Sequence, residues 1–150
     1  MTGWTPHDKS QARAVIADKD FQLAFLYSEY RGGQDQAWTT YVSSGVEPAY
    51  QTKLSQPDVT TQSFTGTVRY FRMRAYPDPD KHGAIDVSAC EDVAQAPSTD
   101  LHTGKVIPGT PSANQSYWRY TDVIAQSGGQ WKVVAAYPAS YYPRERDCQP

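Results

Sequence analysis

Tyr117-Trp118-Arg119-Tyr120-Thr121-Asp122-Val123-Ile124-Ala125-Gln126, the turn Ser127-Gly128-Gly129, and Gln130-Trp131-Lys132-Val133-Val134-Ala135-Ala136-Tyr137-Pro138 form the stretch that decides the fold. Both runs are rich in β-branched and aromatic residues, which suit a pleated, half-buried surface. Trp131, Val133, Ala135 and Tyr137 alternate with Lys132, Val134 and Ala136, and the glycine pair between the runs closes a hairpin.

Upstream the same signal recurs. Ser63 to Tyr76 reads as one long strand, the Pro, Asp and Gly of Pro77 to Gly83 as a turn, and Ala84 to Cys90 as the returning strand. Phe64, Val68 and Tyr70 share one parity whereas Phe71, Met73 and Ala75 share the other, so a bulge is expected near Tyr70 and Phe71. Glu91 to Asn114, with Pro97, Pro108 and Pro111, reads as a surface loop holding a short strand at Gly104 to Ile107.

Before Pro57 the period is helical. Ala12, Val15, Ile16, Leu23, Leu26, Tyr27 and Tyr30 recur at three-and-four spacing, predicting a helix from Pro6 to Arg31 that ends at Gly32-Gly33. A weaker helix is expected from Asp35 to Ser44, broken by Pro48, and a short one from Ala49 to Leu54. Helices followed by four antiparallel strands predict an α+β fold, N-terminal helices packed on a curled, mainly antiparallel four-stranded sheet, with 1–150 as a single domain. On this reading Ile16, Leu23, Leu26 and Tyr30 are buried against Val123, Val133 and Ala135.

Fourteen basic against sixteen acidic residues give a net charge of −2, with no basic block to neutralise a phosphate run, which argues against a nucleic-acid partner. No stretch reaches the roughly 18 to 20 apolar residues of a membrane span. Met1 to Pro6 lacks the basic start and apolar run of a signal peptide. The two cysteines, Cys90 and Cys148, are an even pair such as an oxidising compartment permits. If the last three long strands form a meander, Cys148 has the slack to return to Cys90, and a disulfide is expected. An extracellular or cell-surface location follows, with any signal or anchor absent from this chain.

The long first helix, glycine break, helix with Trp38 and Tyr41, and strand meander ending in Gln130-Trp131-Lys132-Val133-Val134 resemble the nuclear transport factor 2-like, or cystatin-like, superfamily. More narrowly, Ala89-Cys90-Glu91-Asp92-Val93, Thr103-Gly104-Lys105-Val106, the Trp131 strand and Cys148 resemble a group of uncharacterised exported or lipid-anchored actinobacterial proteins. The superfamily resemblance implies a cone with an open pocket, in a fold that carries dehydratases, isomerases, ligand binders, assembly scaffolds and dimerisation modules, so fold alone does not choose.

Candidate chemistry is sparse. His7, His82 and His102 sit at a helix start, in a turn and in a loop, without a positioned partner. No clustered Cys and His spacing marks a metal site, and neither metal nor cofactor is expected. The resemblance implies that, in an enzyme of this superfamily, an Asp or His near the strand-rich end abstracts a proton while tyrosines hold the oxygen. The available pieces here are Asp86, Asp122 and Tyr30, with Tyr27, Tyr70 and Tyr120. An ordinary strand acid faces solvent, and Arg72 or Arg119 would pair across strands with Asp86 or Asp122. Tyr141-Tyr142-Pro143-Arg144-Glu145-Arg146 has interface-like chemistry. The reading placed first is a non-enzymatic exported interaction or assembly module, with a protein partner or a homodimer through the sheet. The alternative is a small-molecule binding protein or isomerase/dehydratase-like enzyme using the cone pocket.

Overall fold

The computed structural model describes residues 5–141 and Cys148. Helix α1 spans Lys9–Tyr30. Asp8 caps its start by accepting the Gln11 N–H at 2.8 Å, satisfying a donor that the first turn leaves without a helical partner. At the other end the Gly33 N–H reaches back to the Ser28 carbonyl at 2.8 Å. Gly33 has φ +78°, and a Cβ there would run into the Leu54 carbonyl, so glycine is required twice over.

The phase of α1 differs from the expected one. Ile16 and Leu23 are 58% and 59% exposed, and Tyr27 and Tyr30 are also exposed. The buried face is instead Gln11, Ala14, Asp18, Phe21, Phe25 and Ser28, which also recurs at three-and-four spacing but carries polar members. The two phenyl rings set this face, because Phe21 and Phe25 each pack edge-on against Tyr50, with centroids 4.9 and 5.2 Å away.

The expected second helix is only a 3-10 turn at Ala37–Tyr41, which seats Trp38 fully inside. Helices α2 (Glu47–Leu54) and α3 (Pro57–Thr60) follow, each with proline in its first turn where a missing N–H costs nothing. The predicted long strand is split into β1 (Gln62–Phe64) and β2 (Thr67–Pro77), because the chain turns at Gly66, φ +87°, hard against the Gln95 carbonyl. Its partner β3 runs past Cys90, spanning Ile85–Gln95, and the short strand β4 is Ser98–Asp100, against which the expected Gly104 segment pairs through a single bridge, Val106 to Thr99. The hairpin β5 (Tyr117–Ser127) and β6 (Gln130–Tyr141) lies where the sequence predicts it.

The main sheet has order β2-β3-β5-β6, all antiparallel, and β1 pairs with β4 apart from it. Register shifts occur between Thr67 and Arg69 and between Phe71 and Arg74, where Arg72 adopts φ +50°. The second shift is the parity change anticipated near Phe71.

Cross-strand partners share a face of the sheet, so the register assigns every side chain. Ile85, Val87, Ala89 and Glu91 face the helices with Ile124, Asp122, Tyr120 and Trp118. The core on this side joins Phe21, Phe25 and Trp38 to Val87, Ala89, Ile124 and Val133. Val123 lies on the other face, packed with Ala84, Ala125 and Ala135, so neither Val123 nor Ala135 meets α1 as expected.

Candidate functional site

Between α1, α2 and the helix-facing side of the sheet lies a cavity of about 490 Å³. Phe21, Phe25 and Tyr50 wall one side and Tyr70, Trp118 and Tyr120 the other, while Asp122 and Glu91 supply carboxylates. Asp122 belongs there because it pairs with Val87 on β3 and with exposed Ala136 on β6, both on the helix-facing side.

Asp122 is 3% exposed. Its Oδ2 accepts the Gln22 amide at 2.6 Å and its Oδ1 the Tyr50 hydroxyl at 3.2 Å. Asp18, one helical turn before Gln22, is wholly buried beside it and accepts the Tyr120 hydroxyl through Oδ2 at 3.3 Å. Its Oδ1 has no hydrogen-bond partner among the described residues, and the Asp122 carboxyl stands next to it as a charged neighbour. Burial, then the charge of Asp122, holds the Asp18 carboxyl well above the usual carboxylate range. Burial also raises Asp122, against the hydrogen bonds that favour its ionised form. Two carboxyls in one dry site cannot both ionise cheaply, so the pair retains a proton, with Asp18 as donor and Asp122 as acceptor.

Glu91 forms a second buried acid. It accepts the Tyr70 hydroxyl at 2.8 Å, and burial raises its pKa. Burial and the neighbouring carboxylates push the phenols of Tyr50, Tyr70 and Tyr120 upward, so all three stay protonated donors. Lys53 lines the same cavity, bound to Glu29 at 3.2 Å with its ammonium 4.8 Å from the Phe25 ring centre.

Of the residues singled out in sequence, Asp122, Tyr70 and Tyr120 come together here. Tyr27 and Tyr30 do not, because they lie on the outer face of α1; Tyr30 packs on Phe64 and borders a larger groove of about 800 Å³ beside β1 and β4. Asp86 does not either. It is buried on the opposite face of the sheet, where desolvation and a hydrogen bond to Asp78 raise its pKa to about 7. The solvated strand acids expected from alternation are therefore both buried. Among the described residues neither acid forms the expected ion pair with an arginine: Arg69 pairs with Asp92, and Arg119 donates to Ser88 at 2.9 Å. His7, His82 and His102 are exposed. Asp18, Gln22, Tyr50 and Glu91 escaped the sequence reading, and the signal that could have found Asp18 is the three-and-four recurrence of Ala14, Asp18, Phe21 and Phe25.

Cys90 and Cys148 are both wholly buried on the far face, with Cα atoms 5.4 Å apart and sulfurs at bonding distance. Residues 142–147, which include the Tyr142 to Arg146 segment, lie outside the described residues. Among the described residues no group of three His, Cys, Asp or Glu side chains is placed to hold a metal ion, and no helix is long and apolar enough to cross a membrane.

No family model matches the chain, and no curated protein matches it. Solved structures do. The intermembrane space region of the chloroplast protein ARC6 superposes with a TM-score of 0.54 at 11% identity, covering 91% of this chain and 98% of that one. A "putative aromatic ring hydroxylase" from Novosphingobium aromaticivorans gives 0.54 at 10% identity, covering 92% and 96%. Both superpositions span nearly the whole of each chain, so this chain shares their fold of helices packed on a mainly antiparallel sheet. At such identity the likeness shows the fold alone.

Proposed function

We propose that this protein binds a small molecule in the cavity between α1 and the sheet, with Asp122 as the polar contact and Asp18 as the proton store behind it. The observation that carries the reading is Asp122 itself. A buried carboxylate that lines an open, aromatic-walled cavity, with neutral donors around it and, among the described residues, no arginine paired to it, is costly to keep for packing alone. The volume falls within the range of ligand sites, and the mixture of aromatic wall and few convergent polar groups is their usual composition. Because the pair holds one proton, a ligand group at Asp122 meets an acceptor whose proton supply is one residue away, which brings isomerase- or dehydratase-like proton transfer within reach.

The cavity thus moves ahead of the interaction module. That second reading keeps one observation of its own: the outer stripe of α1, where Ile16, Leu23, Tyr27 and Tyr30 stand exposed. Either function fits an exported protein of one domain, a location supported by the Cys90–Cys148 geometry.

A thermal-shift screen of small molecules against the wild type and Ala136→Trp tests the proposal, since Ala136 is exposed and borders the cavity. Stabilising compounds should lose their effect when the indole fills the space. Compounds that stabilise both proteins equally bind elsewhere and contradict it.

A further inference from the structure

The charge of the cavity and the chemistry of its walls narrow the ligand class. Glu29, Asp58, Glu91 and Asp122 line it, against Lys53 as the one cation among the described lining residues. Lys53 is committed to Glu29. Among the described residues Glu91 and Asp122 receive hydrogen bonds from neutral groups, the Tyr70 hydroxyl for one and Gln22, Tyr50 and the protonated Asp18 for the other. Two inward-facing carboxyl groups therefore stand in a partly dry space, and among the described residues neither makes an ion pair; the Lys53 charge reaches both only from its place beside Glu29.

The walls fit the missing charge. Tyr70 and Tyr120 meet edge to face with centroids 6.0 Å apart, and Trp118 and Phe25 line the same space. Aromatic faces attract ammonium groups through the ring quadrupole, most strongly when water is excluded. The cavity wall already makes this contact, since the Lys53 ammonium rests over Phe25 beside a carboxylate. A smaller space of about 310 Å³ continues from the cavity past Leu26, Glu91 and Trp118, so Glu91 borders both chambers.

We propose that the cavity selects an organic cation, an amine or quaternary ammonium on an apolar body, with its charged head held in the field of Glu91 and Asp122 and its body against the aromatic wall. The inference deepens the small-molecule reading and rests on it. An anion would be repelled by the same carboxylates, and a neutral isostere would gain the wall contacts but not the charge.

Three probes of similar shape decide it: 2-phenylethylamine, 2-phenylethanol and 3-phenylpropanoate, titrated into the wild type and Glu91→Gln at neutral pH and followed by backbone amide resonances. The amine should bind at least about tenfold more tightly than the alcohol, with the carboxylate weakest. Its shifts should centre on Gln22, Tyr50, Tyr70 and Tyr120. Glu91→Gln should weaken the amine about tenfold and leave the alcohol unchanged. If that variant does not fold, the wild-type comparison alone decides. An alcohol that matches the amine, or a carboxylate that exceeds it, at the same resonances overturns cation selectivity while the small-molecule site stands. If none of the three moves a cavity resonance, both readings fall.

Discussion

The Gln22 amide of α1 donates to Asp122 Oδ2 of β5 at 2.6 Å, tying the middle of the helix to the middle of the sheet beside the buried Asp18 carboxyl. The fold could have met that junction with apolar side chains, as it does at Phe21 and Phe25. A proton-holding acid pair there instead makes stability depend on pH.

The sign follows from the raised Asp18 carboxyl. Its ordinary value is 3.8, and in the folded protein it keeps its proton well above that. Between those limits the folded chain binds a proton that the unfolded chain has released, so unfolding free energy should fall as pH rises from near 4 through the pair's folded titration. Asp18→Asn, which keeps the shape and removes the charge, should flatten this slope and leave the protein as stable as the wild type or up to about 2 kcal/mol more stable at pH near 8. Urea denaturation across that range checks it; a steep slope persisting in the variant would place the titration elsewhere.

On the far face the Asp86 carboxyl is raised to about 7 by burial and its contact with Asp78, whose own pKa is lowered by the same contact. Carboxyl carbon resonances followed with pH should show Asp86 titrating near 7. Asp78→Asn should return it towards the ordinary range, and an unchanged midpoint would rule out Asp78 as a cause.

Helix phase makes a sharper contrast. Leu23→Ala should cost less than about 0.5 kcal/mol, because the side chain is 59% exposed. Phe25→Ala, which empties a site touching Trp38 and Tyr50, should cost about 3 to 5 kcal/mol. Equal losses in chemical denaturation would contradict the observed phase.

Cys90 and Cys148 are separated by 58 positions. Closing so long a loop should contribute about 4 kcal/mol through the unfolded chain, a stability that reduction should remove. Intact mass with thiol alkylation before and after reductant counts the thiols, and denaturation of both forms measures the difference.

These elements also mark how far the sequence reaches. The β5–β6 hairpin was legible because alternation, aromatic content and a Gly-Gly turn agree. The division of β1 from β2 was not, since Gly66 is required by an approach to the Gln95 carbonyl that only the fold creates. The face of α1 was misread because two stripes compete on it. Ile16, Leu23 and Leu26 look like core, whereas the true face contains Gln11, Asp18 and Ser28, polar side chains tolerated inside because Gln11 bonds the His7 N–H, Asp18 holds a proton beside Asp122, and Ser28 donates to the Asp35 carbonyl. Asp122 was visible as a strand acid. Its partners were not, since Asp18 and Tyr50 reach it from distant parts of the chain.

The central claim is that Asp122 is the polar contact of a ligand-binding cavity, and a crystallographic fragment soak tests it most directly. The account predicts fragments within the space walled by Phe21, Phe25, Tyr50, Tyr70 and Tyr120, with a polar atom in hydrogen-bond reach of Asp122. Fragments that leave that cavity empty and gather along Ile16, Leu23 and Tyr27 on the outside of α1 would contradict it.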